Sequence, residues 1–448
     1  MPLGYRRISL ALACAVAAAL PADAQDANPR FSASDINSAQ YTGSDLPAGR
    51  SALTARVQVL LDRSGVSPGV VDGFRGEMSA SAIMAFERRA GLPIDGQMDA
   101  AVWNLLQPYA AQPETMDYTI TSEDTAGLVT TIPSDYGEKA QMASQGFTSI
   151  AEKLGERFHM DEKFIDFLNP GVTLQSGATI KVTVPARPIK AQVTRILVDK
   201  ATRRVAAYDA AGRMVVDYPA TIGSDATPSP SGTHTVVTVA LNPNYTYNPA
   251  KNFRQGENDR PLMIAPGPNG PVGSVWIDLT RPTYGIHGTP TPSQLFRNQS
   301  RGCVRLTNWD AEELAHMVQP GVTIVEFLAP GTTIADAASK VPVPAQPKAD
   351  SGSLVLTSSR APLARPARQG QLATIAPQPA PAATPARSAA PARSAAPVPD
   401  VADAPVYEDT SEDAADLTAP PHDADLLRKA INDALSHNLQ PAPVLHQQ

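Results

Sequence analysis

Of the two cysteines in the 448-residue sequence, Cys303 stands in a setting that could do chemistry. It lies in Ser300-Arg301-Gly302-Cys303-Val304-Arg305-Leu306, with fifteen residues between it and His287 of the run Tyr284-Gly285-Ile286-His287-Gly288. An arbitrary lone cysteine is a small buried hydrophobe. Here Gly302 lets the backbone approach a ligand closely, Arg301 and Arg305 supply positive potential that favours thiolate, and a histidine in the same strand-rich stretch can serve as base. A thiolate suits attack on an amide carbonyl, and the glycine turn presents the backbone N–H groups of Cys303 and Gly302 to the resulting oxyanion.

Two residues beyond the nucleophile on a strand, Arg305 shares its face. Its planar fork fits either a substrate carboxylate or a structural ion pair with Asp310. Trp276, Tyr284 and Trp309 could line a groove or fill a core. His234 and His316 read as surface or packing residues. No metal-ligand spacing joins them to Cys303, so no metal and no organic cofactor is expected.

The elements that must position these residues have a period of two. Arg195-Ile-Leu-Val, Arg204-Val-Ala-Ala-Tyr, Met214-Val-Val-Asp-Tyr, Val275-Trp-Ile-Asp-Leu and Val322-Thr-Ile-Val-Glu-Phe predict a mainly antiparallel β domain over 191–328. One helix interrupts it, Trp309 to Val318, opened by Asn308 as N-cap and stopped at Gln319-Pro320-Gly321.

Upstream, Leu53, Val57, Leu60 and Leu61, then Ile83, Phe86 and Ala90, then Val102, Leu105 and Leu106 have helical spacing. The turns Asp72-Gly73 and Asp95-Gly96 separate them, predicting a small all-α unit over 51–110. Residues 118–186 predict two helices, Thr148 to Leu154 and Asp161 to Leu168, and a strand at Ile180–Val184, an α+β segment. Residues 25–50 are polar and aperiodic and read as a linker.

At about 150 residues per domain the length implies several domains, and 17 of the 43 prolines fall after Lys340. Residues 336–448 therefore read as a low-complexity, disordered tail, with Leu427, Ile431 and Leu435 on one face of a short possible helix near 425–435. Arg6 and Arg7 before the apolar run Ile8 to Leu20, then Ala22-Asp23-Ala24, predict a signal peptide over 1–24 and export to the cell envelope or periplasm. Cys14 would leave with it. No stretch reaches the ~20 apolar residues of a transmembrane segment. A net charge of -7 without a basic cluster excludes a nucleic-acid surface.

Three resemblances follow from these residues. Gly69-Val-Val-Asp-Gly, Ala82-Ile-Met-Ala-Phe-Glu, Gly91-Leu-Pro-Ile-Asp-Gly and Trp103-Asn-Leu-Leu resemble the helical peptidoglycan-binding domain of cell-wall enzymes. Asp72 and Asp95 either contact ligand there or only make their turns. Ile150-Ala151, Phe158, Phe164, Leu168-Asn169-Pro170, Leu174, Gly177 and Val182-Pro185 resemble a degenerate lysin motif with an insertion between Ile120 and Phe147; glycan binding and a spacer role are both open. Ala191 to Leu328 resembles the catalytic domain of the L,D-transpeptidases, cysteine enzymes that cross-link peptidoglycan. The residues carrying this are Ile286-His287-Gly288, Ser300-x-Gly302-Cys303-Val304-Arg305-Leu306, Pro230-Ser-Gly-Thr after Ile222-Gly223, and Gly270-Pro-Val-Gly. Arg301 stands where the family often has a histidine.

The resemblance implies Cys303 as nucleophile and His287 as general base, its ring oriented by the Gly288 carbonyl. Arg305, Arg301, Ser300 and Tyr284 are the candidate substrate contacts. The expected partners are peptidoglycan stem peptides and glycan, and the expected reaction is transpeptidation through a thioester. The alternatives are carboxypeptidase or amino-acid exchange by the same acyl-enzyme, or a non-catalytic wall-binding protein.

Overall fold

The computed structural model describes residues 30–339 apart from Asn252. The signal segment, Cys14 and the tail beyond Ser339, including 425–435, lie outside the described residues.

The amino-terminal region is helical: α1 (Ala33–Ser38), α2 (Ala52–Arg63), α3 (Glu77–Ala90) and α4 (Ala100–Leu106). Ser51 caps α2 and Asp99 caps α4, each accepting from a backbone N–H three residues on. Val57, Leu60, Leu61, Ile83, Phe86, Val102 and Leu106 form one core. Asp72 accepts from the Phe74 N–H and Asp95 from the Gln97 N–H, so each carboxylate serves its own turn. The reading of 25–50 as a linker is corrected from Arg30 onward. Ser32 and Asp35 make a capping box for α1, and Ile36 and Leu46 are buried, Ile36 in one core with Val59 and Phe164. Two isolated apolar residues carry no period, and part of the core that Ile36 joins lies more than a hundred residues away.

Next come β1 (Thr115–Thr119), α5 (Tyr136–Lys139), α6 (Ile150–Phe158), α7 (Glu162–Leu168) and β2 (Thr179–Thr183). β1 and β2 pair antiparallel with Tyr118 opposite Ile180. This unit begins before the expected residue 118, because Thr115–Asp117 already belong to the ladder.

The carboxy-terminal half supplies β3 (Arg195–Asp199), β4 (Arg204–Tyr208), β5 (Met214–Pro219), β6 (Gly232–Leu241), β7 (Tyr245–Tyr247) and β8 (Leu262–Ile264). After these follow β9 (Val275–Leu279), β10 (Gly285–His287), β11 (Val304–Arg305), α8 (Asn308–Met317), β12 (Ile324–Phe327) and α9 (Ile334–Ser339). Eight strands form one sheet in the order β11-β10-β9-β6-β12-β3-β4-β5, with β7 and β8 a separate hairpin. The sheet is mixed: β10 with β11 and β12 with β3 run parallel, the other neighbours antiparallel. Strand β4 is buried along its whole length, and α8 packs Ala311, Leu314 and Met317 into the main core.

Two boundaries move. The cap of α8 is Thr307, whose hydroxyl accepts from the Asp310 N–H, and Asn308 is freed for another task. Order does not fade after Ala335, since α9 buries Ile334 and Ala337 in a core with Leu197, Ala206 and Tyr208.

The helical region closes the sheet edge at β5. The Ser67 N–H donates to the Asp217 carbonyl and the Asp217 N–H to the Gly65 carbonyl, both at 2.9 Å. The buried Arg204 guanidinium lies 2.6 Å from the Asp217 carboxylate and donates to the Ser67 carbonyl, while Arg88 of α3 reaches the same carboxylate. Removing one partner of such a buried pair costs about 3–5 kcal/mol.

Candidate active site

His287 ends β10 and Cys303 immediately precedes β11. The parallel register sets Ile286 beside Val304 and His287 beside Arg305. Side chains alternate along strands, so His287, Cys303 and Arg305 share one face. Antiparallel pairing sets His287 against Trp276 of β9, whose indole lies beside the imidazole with centroids 5.7 Å apart. Imidazole Nδ1 sits 2.7 Å from the Gly288 carbonyl oxygen. A donor at Nδ1 leaves Nε2 as the acceptor on the neutral ring.

The turn before the thiol needs glycine twice over. Gly302 has φ +119, and a Cβ there would meet the Tyr284 ring at 2.4 Å. Tyr284 thus packs on the glycine turn, half-buried, with Arg281 5.5 Å from its ring centre. Arg301 lies over the Phe253 ring at 3.6 Å. Arg305 is buried, and its backbone pairs with Thr221 in both directions. Asp310 accepts from the Ser67 hydroxyl at 2.8 Å.

Two expected roles are corrected. Ser300 is fully buried; its hydroxyl donates to the Cys303 carbonyl and accepts from the Gly302 N–H, so it shapes the turn and has no face for substrate. By the same bond, the Gly302 N–H is committed to Ser300 at 3.1 Å and is unavailable to an oxyanion.

The thiol and the imidazole are also more enclosed than the basic flank suggests, at 3% and 2% exposure. Burial pushes the Cys303 thiol up to about 12, against opposing help from the Gly285 N–H and the positive charge of Arg305. Burial, aided by Arg305, pushes the imidazole down to about 3. The positive potential read from the sequence is present, but desolvation exceeds it. Both groups rest uncharged.

The cover comes from two segments. Tyr245, Tyr247 and Ile264 of the β7–β8 hairpin share a buried cluster with Trp276 and Cys303, and Tyr136 of α5 belongs to it as well. Tyr136 is fully buried, edge-on to Tyr247 at 5.2 Å and to Phe253 at 6.0 Å. Its N–H donates to the Gln255 side chain at 3.0 Å, and Asn258 donates to Asp135 at 2.8 Å. Further along, the Gln145 N–H donates to the Pro266 carbonyl. The insertion between Ile120 and Phe147 is therefore a strap bonded to the 245–266 flap. Sequence reasoning missed this; a lone Tyr136 within a polar, aperiodic stretch gave no periodic signal.

A cavity of about 950 Å³ opens where the three regions meet, lined by Asp62, Glu156, His159, Tyr218, Asp310 and Glu313 among others. It includes neither Cys303 nor His287. His159 stacks on Trp309 at 5.0 Å and bonds Asp62 at 2.9 Å. Trp309 thus belongs to this junction. Among the described residues no group of three or more His, Cys, Asp or Glu side chains could hold a metal ion, and no helix is long and apolar enough to cross a membrane.

His287 at the end of β10 and Cys303 just before β11 lie on adjacent parallel strand ends. Residues 193–327 match the L,D-transpeptidase catalytic domain family and residues 50–106 the family described as "Putative peptidoglycan binding domain". Among curated proteins it is 34% identical over 112 residues to the "Putative L,D-transpeptidase YkuD" of Bacillus licheniformis, which is 25% of this chain and 53% of that protein. It is 26% identical over 159 residues to the Bacillus subtilis protein of that name, 35% of this chain and 82% of that one. The chain thus spans about half the length of the first relative. Among solved structures, an L,D-transpeptidase from Mycobacterium smegmatis aligns at 18% identity with a TM-score of 0.26, covering 34% of this chain and 64% of that one.

Proposed function

We propose that the protein is an exported L,D-transpeptidase acting on peptidoglycan. The observation that carries this reading is the placement of His287 and Cys303 on one face of paired strands, inside a segment matching that catalytic family. In the proposed reaction, Nε2 of His287 takes the thiol proton as Cys303 Sγ attacks a stem-peptide carbonyl. The Cys303 N–H, at the glycine turn, is the backbone donor for the oxyanion. Collapse forms the thioester and expels a terminal D-amino acid, whose amine receives the proton from His287. An amine of a second stem then attacks the thioester, giving up a proton to His287, and the thiol is regenerated as the cross-link forms.

Arg305, on the same face, is proposed to receive a stem carboxylate. Tyr284 and Arg301 are proposed as rim contacts. The domain over 50–106, and the unit between β1 and β2 read as lysin-motif-like, are proposed to hold the glycan and so place the work outside the cytoplasm. With α5 assigned to the insertion, the remaining order β1-α6-α7-β2 supports that second reading.

Intact-mass measurement after exposure to a carbapenem tests the chemistry. A covalent adduct is expected on the wild type and none on Cys303→Ser, whose hydroxyl has no accessible anion. An adduct on the serine variant, or none on the wild type, would remove Cys303 as nucleophile. Muropeptide analysis of the products separates cross-linking from hydrolysis or exchange.

A further inference from the structure

Helix α6 lies outside the catalytic sheet, yet it is bonded to the backing of His287. Its residues Glu152 and Glu156, one turn apart, present two carboxyl groups to the catalytic domain. Glu152 accepts from the Asn269 side chain at 2.5 Å, and Glu156 accepts from Asn308 Nδ2, also at 2.5 Å. Asn308 is itself buried, donates to the Pro268 carbonyl at 3.2 Å and accepts from the Ser274 N–H at 3.1 Å. Its side chain presses on the bend after β10. A Cβ at Gly288 would lie 2.0 Å from Asn308 Oδ1, and one at Gly273 would lie 2.1 Å from it. The Gly288 carbonyl is the group that holds His287 Nδ1.

We propose that Glu156 is a positioning residue for His287, acting through Asn308: by holding the Asn308 amide it fixes the Gly288 carbonyl, and with it the imidazole. Glu152 holds Asn269, the neighbour of Pro268, whose carbonyl Asn308 also binds. The unit between β1 and β2, through α6, then completes the catalytic centre. The inference rests on the proposed role of His287, and its test separates the two.

The measurement is the rate at which a carbapenem acylates the full-length chain, at constant folded fraction by circular dichroism. Glu156→Ala leaves Asn308 Nδ2 with the Pro268 carbonyl alone and is expected to slow acylation about tenfold, a fraction of the ~10²- to 10⁴-fold a general base supplies. Glu156→Gln keeps an acceptor oxygen and is expected to stay within about twofold of wild type. If Glu156→Ala fails to fold, Glu156→Asn, with a shorter amide that retracts from Asn308, carries the same expectation. In a His287→Ala background the Glu156 substitution is expected to add nothing, because its effect passes through the missing ring. Additive losses, or wild-type rates in both shortened variants, or a Gln variant as slow as Ala, would overturn the inference. An unchanged rate in His287→Ala alone would instead overturn the role of His287.

Discussion

At the scale of single residues, the site is governed by desolvation. Burial puts the Cys303 thiol at about 12 and the His287 imidazole at about 3, so both are uncharged at neutral pH, and in the proposed reaction the proton moves only as attack proceeds. Alkylation of the resting protein by iodoacetamide is therefore expected to climb about tenfold per pH unit from pH 6 to 9 without levelling, since the thiolate fraction keeps rising through that range. A plateau beginning near pH 7 would mean a standing thiolate–imidazolium pair and would contradict the burial argument. Arg305 moves both groups in the direction a cation must, lowering each, but neither shift is of the size that burial produces.

At the scale of elements, the strap is the feature with the clearest consequence. Tyr136 sits under the flap of β7 and β8, and the two segments share side-chain and backbone bonds, so the flap cannot lift freely while the strap is in place. Truncating a buried aromatic costs on the order of 3–5 kcal/mol, and any sizeable part of that falling on local opening amounts to tenfold or more in open population. Tyr136→Ala is accordingly expected to raise the alkylation rate of Cys303 at pH 7.5 by about tenfold, with the bulk of the secondary structure unchanged by circular dichroism. An unaltered rate would show that the flap encloses the thiol without help from the strap.

At the scale of the whole molecule, the three regions meet around buried acids. Burial raises Asp310 to about 7 and Glu156 to about 8, and raises Glu313 as well, while the coulombic pull of Asp62, set against burial, holds His159 above its usual value. For each of these the folded state binds the proton more tightly than the unfolded chain. Their stabilisation is complete below the unfolded values and is lost as pH rises through the folded ones. The melting temperature is thus expected to fall from about pH 4 to about pH 8, and Asp310→Asn is expected to flatten that fall, chiefly below about pH 7. A melting temperature constant across this window in the wild type would show that the junction does not titrate as its burial requires. The same junction bears on a catalytic segment cut out near Ala186 and Ala338. Every residue assigned to chemistry would remain, but the β5 edge would be bare and the buried Arg204–Asp217 pair would lose the Ser67 carbonyl.

The candidate site was legible in the sequence because its signals are local: Gly302 before Cys303, the Ile286-His287-Gly288 run, the strand periods and the Asp-Gly turns each depend on neighbours a few residues apart. Helices α2 to α4 and the strands around β9 to β12 could be read for the same reason. Three things were decided only by tertiary structure. The commitment of Ser300 and the Gly302 N–H to each other is a matter of turn geometry, which residue types leave open. The thiol shares a buried cluster with Tyr136, more than 150 positions upstream of Cys303, and no local pattern announces such a meeting. The bonds from Glu152 and Glu156 to Asn269 and Asn308 likewise join residues over a hundred positions apart. Short-range order follows from spacing along the chain, whereas desolvation and long-range hydrogen bonds depend on what the folded chain brings next to each group.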